Sequence, residues 1–142
     1  MGRIIELFHS THKSNVESIL KNGLRASSKF DSFGLDMRKG VVYCWLKKEH
    51  DKMWANNGDY VYLKVLVDED RCRVADMEWI SFAMTYRLGT LKPKNEEAAR
   101  LFAEIYRVTS VSISEYYEGL FYTPEVLVKG DISADNISLS DT

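Results

Sequence analysis

The chain has 142 residues, close to one ordinary domain, with 45% hydrophobic and 28% charged residues, a balance of folded globular chains rather than disordered or fibrous ones. A formal net charge of −2 excludes attachment to a polyanion by bulk charge alone, though not through a local basic patch. The longest apolar runs, such as Val41 to Leu46, fall far short of the roughly 20 residues of a membrane span. The opening residues Met1 to Glu6 lack the apolar stretch of a signal peptide. Two cysteines, Cys44 and Cys72, are too few for a disulfide framework and suggest a reducing compartment. The expectation is a cytoplasmic domain without membrane contact, monomeric by default.

The charge is uneven. Residues 1–50 hold nine Lys and Arg against five acids, whereas residues 51–142 hold ten against sixteen. A basic first third suits a phosphate-bearing ligand, although most such lysines simply face solvent. Two prolines, no repeat and no Gly/Ser-rich stretch leave no linker, so residues 1–142 read as one domain.

In chain order, Arg3 to His9 is apolar and β-rich, a strand. Ser14 and Glu17 match a capping box ahead of a short helix carrying Val16, Ile19 and Leu20, stopped by Gly23. Arg25 to Lys39 has little period and reads as an irregular, functional loop. Gly40 to Leu46 reads as a buried strand and Lys47 to Asn56 as a short helix. Asp59 to Val67 alternates, with Leu63, Val65 and Val67 on one face and Tyr60, Tyr62, Lys64 and Leu66 on the other. Asp76 to Tyr86 reads as helix. Asn95 to Val108 is amphipathic, with Leu101, Phe102, Ile105 and Val108 as its apolar stripe. Glu125 to Lys129 and Asn136 to Leu139 are two last strands, before an irregular acidic end at residues 138–142. Strands and helices do not alternate regularly, which favours α+β over a doubly wound sheet.

Three separated pieces carry chemistry. His9-Ser10-Thr11 stands where the first strand is expected to end, so the His9 ring and the main chain of Ser10 and Thr11 can meet a ligand. Tyr43, late in a buried strand after Gly40, presents a flat apolar face with one polar tip, although most such tyrosines are core. Glu125 follows Pro124 at the head of an apolar strand, and a carboxylate there either faces water or serves a site.

Taken in order, His-x-Thr before a helix ending Gly23-Leu24, then Gly-x-x-Tyr on a strand, then Glu-Val-Leu-Val near the end, the chain resembles the ADP-ribosyltransferase superfamily. The resemblance is to its His-Tyr-Glu branch, which includes poly-ADP-ribose polymerases and DNA-modifying toxins. It implies a split, mostly antiparallel sheet with short flanking helices, and transfer of ADP-ribose from NAD to a macromolecule with release of nicotinamide. It further implies that His9, with the Ser10 main chain, seats the adenosine-side ribose. Tyr43 would stack on nicotinamide, and Glu125 would bind the nicotinamide-side ribose and orient the nucleophile. Thr11, Arg25 and Arg38 would complete the NAD-binding set, the arginines and Lys39 offsetting the pyrophosphate. Ser10 replaces a glycine common in relatives. Thr123, two before Glu125, replaces the Gln or Glu of arginine-directed members, which argues against arginine as acceptor. Nucleic acid is favoured over protein by the basic first third.

Other classes remain in view. An NAD-dependent RNA 2′-phosphotransferase would share the fold, but Glu125 would repel its phosphate. A non-catalytic NAD-like or nucleic-acid-binding module would use the tyrosine-rich segments to stack bases. His9, His12, Cys44 and Cys72 lack zinc-site spacing, so no metal is expected. Cys44 within an apolar strand reads as inert core rather than nucleophile.

Overall fold

The computed structural model describes residues 2–53, 57–91 and 93–140. Among these described residues, seven strands and three α-helices follow one another as β1 (Ile4–His12), α1 (Val16–Asn22), β2 (Val41–Cys44), β3 (Tyr60–Asp68), β4 (Cys72–Asp76), α2 (Met77–Leu88), α3 (Glu96–Thr109), β5 (Val111–Ser112), β6 (Pro124–Lys129) and β7 (Ile137–Leu139). The strands form two antiparallel sheets, β1-β3-β7 and β2-β6-β4-β5, so the architecture is α+β.

Strand alternation decides what each face buries. Leu7 from β1 and Leu63, Val65 and Val67 from β3 meet Val42, Cys44, Val74, Val126 and Val128 from the second sheet in one core between the sheets. The residues in between, Val41, Ala75 and Leu127, face the other way and pack with Tyr106 of α3 and Trp79 and Ile80 of α2. β6 is thus covered on both faces, which is why it reads as an unbroken apolar run. Pro124, lacking an N–H, sits at its first position, where a central strand tolerates proline.

Several expectations shift. β1 runs three residues beyond His9, pairing through His12 with Tyr60. That extension displaces the capping box: Ser14 falls inside a 3₁₀ turn, its N–H donating to His12 Nδ1 at 3.1 Å, and Asn15 precedes α1 without a side-chain cap. Gly23 does end α1, at φ +84°. Beyond Cys44 the chain makes only a 3₁₀ turn at Lys48–His50; residues 54–56 of the helix expected there, and residues 141–142 of the acidic end, lie outside the described residues. β4 was not signalled, because five residues interrupted by Arg73 carry little pattern of their own. The stripe on α3 is also corrected. Ala99, Ala103 and Tyr106 are its buried residues, while Leu101 and Val108 are 61% and 58% exposed. Small alanines let α3 approach its neighbours closely, which a ranking by side-chain bulk misses.

Candidate active site

Among the described residues one backbone bridge joins the edges of the two sheets, which part beside it. Phe8 on the outer edge of β1 exchanges backbone hydrogen bonds with Trp45 just past β2, at 2.8 and 2.7 Å. Continuing that antiparallel register would pair Ser10 with Tyr43, but no backbone bond joins them among the described residues. Because main-chain groups alternate sides along a strand, Ser10, like Phe8, turns its N–H and C=O away from β3 and toward this gap. Thr11 is buried and turns its main chain to β3, so of the two expected groups only Ser10 is presented. Contrary to expectation, the first strand does not end at His9; the edge is open because β2 leaves it.

His9 spans the gap. Its Nδ1–H donates to the Tyr43 carbonyl at 2.7 Å, fixing the ring and leaving Nε2 with its lone pair when neutral. Burial lowers the His9 pKa, partly opposed by that hydrogen bond, so the neutral ring is favoured.

On the outer face of the second sheet, Glu125 is 4% exposed. Its Oε2 accepts from Arg38 Nη1 at 2.9 Å and from the Tyr106 hydroxyl at 2.8 Å. The same Nη1 donates to the Tyr106 oxygen at 2.7 Å, closing a triangle. Oε1 takes no hydrogen bond among the described residues. The Arg38 guanidinium lies 4.9 Å from the centroid of the Tyr43 ring and 5.2 Å from that of Tyr106, a cation between two aromatic faces. Phe30 meets Tyr43 edge-on at 5.8 Å. The Arg38 Nε and the Tyr43 hydroxyl are buried without hydrogen-bond partners among the described residues.

Burial raises the Glu125 pKa, against the pull of Arg38 and Tyr106. Arg38 stays charged: burial opposes it, but Glu125 and the two phenols outweigh that. Burial, with Glu125 beside it, pushes the Tyr106 phenol well up, and burial raises that of Tyr43.

The chain just before Glu125 is clamped. The Asp76 carboxylate caps α2 by accepting from the N–H of Glu78 at 3.1 Å, and also takes the N–H groups of Tyr122 and Thr123 at 3.0 and 3.1 Å. Thr123 Oγ1 donates to Glu78 at 2.7 Å. Asp76 and Tyr106 were both missed in the sequence. Tyr106 had one signal, a polar tip on the face of α3 shared by Ala99 and Ala103.

The structure therefore brings His9, Ser10, Tyr43, Glu125 and Arg38 into one region. Arg38 is engaged with Glu125 rather than standing free for a pyrophosphate, and Arg25 is exposed and takes no part in the cluster. Other first-third cations are matched by acids: Arg3 by Glu69, Lys39 by Asp36 and Lys47 by Glu118. Cys44 and Cys72 are both free; they lie on strands separated by β6 and two residues out of register, too far to bridge. Burial pushes the Cys44 thiol far up and that of Cys72 to about 11. Among the described residues no group of three or more His, Cys, Asp or Glu could hold a metal ion, and no helix is long and apolar enough to cross a membrane. No family model, curated protein or solved structure matches the chain.

Proposed function

We propose that the chain transfers ADP-ribose from NAD to a macromolecular acceptor and releases nicotinamide, with Glu125, His9 and Tyr43 as the residues that meet the substrate. One observation carries this reading: a buried carboxylate with one oxygen anchored and one free, on the strand beside Tyr43, whose carbonyl is tied to His9.

Each group has a task that its surroundings suit. The neutral His9 Nε2 accepts a hydrogen bond from a ribose hydroxyl. The Ser10 N–H and C=O supply one donor and one acceptor on an open edge, the complement of a primary carboxamide such as that of nicotinamide. The Tyr43 face already receives a planar cation, the Arg38 guanidinium, and the nicotinamide ring of NAD is also planar and cationic. Arg38 and Tyr106 hold Oε2 of Glu125, leaving Oε1 for a hydroxyl of the adjoining ribose.

The bond from the ribose anomeric carbon to the ring nitrogen breaks, its electron pair going to the nitrogen, so that nicotinamide leaves neutral. The positive charge left on the ribose is opposed by Glu125, as in glycoside cleavage. A lone pair of the acceptor forms the new bond at that carbon, and the acceptor's proton passes to Glu125 or water. A carboxylate whose pKa burial has raised is the better proton acceptor.

The test is incubation with labelled NAD and separate pools of DNA, RNA and protein, comparing wild type with Glu125→Gln. Label should enter one pool and fall by about 10²- to 10³-fold in the variant, the range for losing one preorganised electrostatic group. NAD binding without transfer in any pool would point to the non-catalytic module. No NAD binding at all would remove the reading.

A further inference from the structure

A groove of about 450 Å³ continues along the face of the second sheet that bears Glu125, past Leu127 and Val41. Arg71, Arg73 and Lys129 line it, with the hydroxyls of Ser112 and Ser114. None of the three cations forms an ion pair among the described residues. Each is held by neutral oxygens instead. Arg71 donates to the carbonyls of Lys129 and Asp131, and Arg73 to the hydroxyl and carbonyl of Ser110 at 2.8 and 2.9 Å. Lys129 Nζ donates to the carbonyls of Asp36 and Lys39 at 3.0 and 2.8 Å.

This arrangement fixes where each cation points without neutralising it. Nη1 of both arginines and one N–H of the lysine take no bond among the described residues. Arg73 lies opposite Leu127 in the β4–β6 register, which puts its Cα about 8 Å from that of Lys129 on strand geometry. Two acids also border the groove, but Glu69 is taken by Arg3 at 3.1 Å and Asp70 has a partner as well. Glu115, which accepts from the Ser112 hydroxyl at 2.9 Å, is the acid that acts on Arg73. Three oriented cations without an ion pair among the described residues, Arg73 on β4, Lys129 on β6 and Arg71 in the turn before β4, match a tetrahedral oxyanion whose several oxygens can each take a donor. We propose that this groove binds a phosphate or diphosphate group. It stands apart from the Glu125 triangle: Lys129 is about 13 Å along β6 from Glu125. The proposal does not depend on the transfer reaction.

Titration of the full chain with inorganic pyrophosphate, followed calorimetrically, tests this. The expected result is saturable 1:1 binding that Arg73→Gln weakens by about tenfold or more, the usual loss for charge-assisted hydrogen bonds. Arg100→Gln, which removes an exposed cation elsewhere on α3, should leave binding unchanged. Arg73 is chosen because Arg71 and Lys129 each hold two main-chain carbonyls and Arg73 only that of Ser110; melting curves confirm that each variant is folded. Repeating the titration with NAD present distinguishes two sources of the phosphate, and either result upholds the groove. Displacement assigns it to the diphosphate of NAD, and coexistence to a second phosphorylated ligand. Absence of pyrophosphate binding, or equal loss in Arg73→Gln and Arg100→Gln, would overturn the proposal.

Discussion

Two arginine–glutamate pairs in this molecule share their chemistry and differ in everything around it. Arg107 and Glu104 lie three residues apart on α3 with side chains 52% and 51% exposed, where water screens both charges and little is gained by pairing. Arg38 and Glu125 are 87 positions apart and only 9% and 5% exposed. Taking these two charges out of water costs more than a surface pair returns, and apolar residues of similar size would fill the space at no loss of stability. Such a pair on the covered face of the central strand, with a phenol bonded to both members, adds little that stability requires and is what the proposed reaction would use.

The sharpest way to break this contrast is Arg38→Met. It leaves Glu125 buried without its cation and should cost about 3–5 kcal/mol of unfolding free energy in denaturant melts. Arg38→Met combined with Glu125→Leu should recover most of that loss; an additive double variant would show that the two charges are not coupled. Tyr106→Phe removes a hydroxyl bonded to a carboxylate and should cost about 1.5–3 kcal/mol. A variant as stable as wild type would remove Tyr106 from the triangle.

The His9 expectation concerns pH. Its folded-state pKa lies below the ordinary 6.5, so the fold binds the neutral ring. The stability this contributes is complete above about pH 6.5 and is lost as the pH falls through that value, because the unfolded chain then takes up a proton that the folded one resists. The melting temperature should fall on acidification through this window, and His9→Asn, which keeps a donor for the Tyr43 carbonyl, should flatten that part of the profile. The smallest effect is expected at the surface pair: Glu104→Gln should leave the melting curve where it is.

Much of the fold was legible because its signals are local. The alternation of Leu63, Val65 and Val67, the amphipathic run that forms α3 and the glycine after α1 each act through near neighbours in the chain. What failed depended on distant partners. β1 continues to His12 because β3 pairs with it, and β4 exists because β6 and β5 hold its two edges. For the site, His9, Tyr43 and Glu125 stood out as residue types at strand ends. Tyr106 and Asp76 did not, because a tyrosine on a helix and an aspartate before one are ordinary in themselves.

By itself the sequence determined the α+β class and the order of most elements, since period and end signals are written in consecutive residues. Tertiary structure alone decided which charges are neutralised. Arg38 finds Glu125, whereas Arg71, Arg73 and Lys129 form no ion pair among the described residues and bond to carbonyls and a hydroxyl, so the unpaired cations of the groove lie outside the basic first third. The reason is that a charge is cancelled by whatever lies within a few ångströms of it, and strand pairing, not position in the chain, sets that neighbourhood.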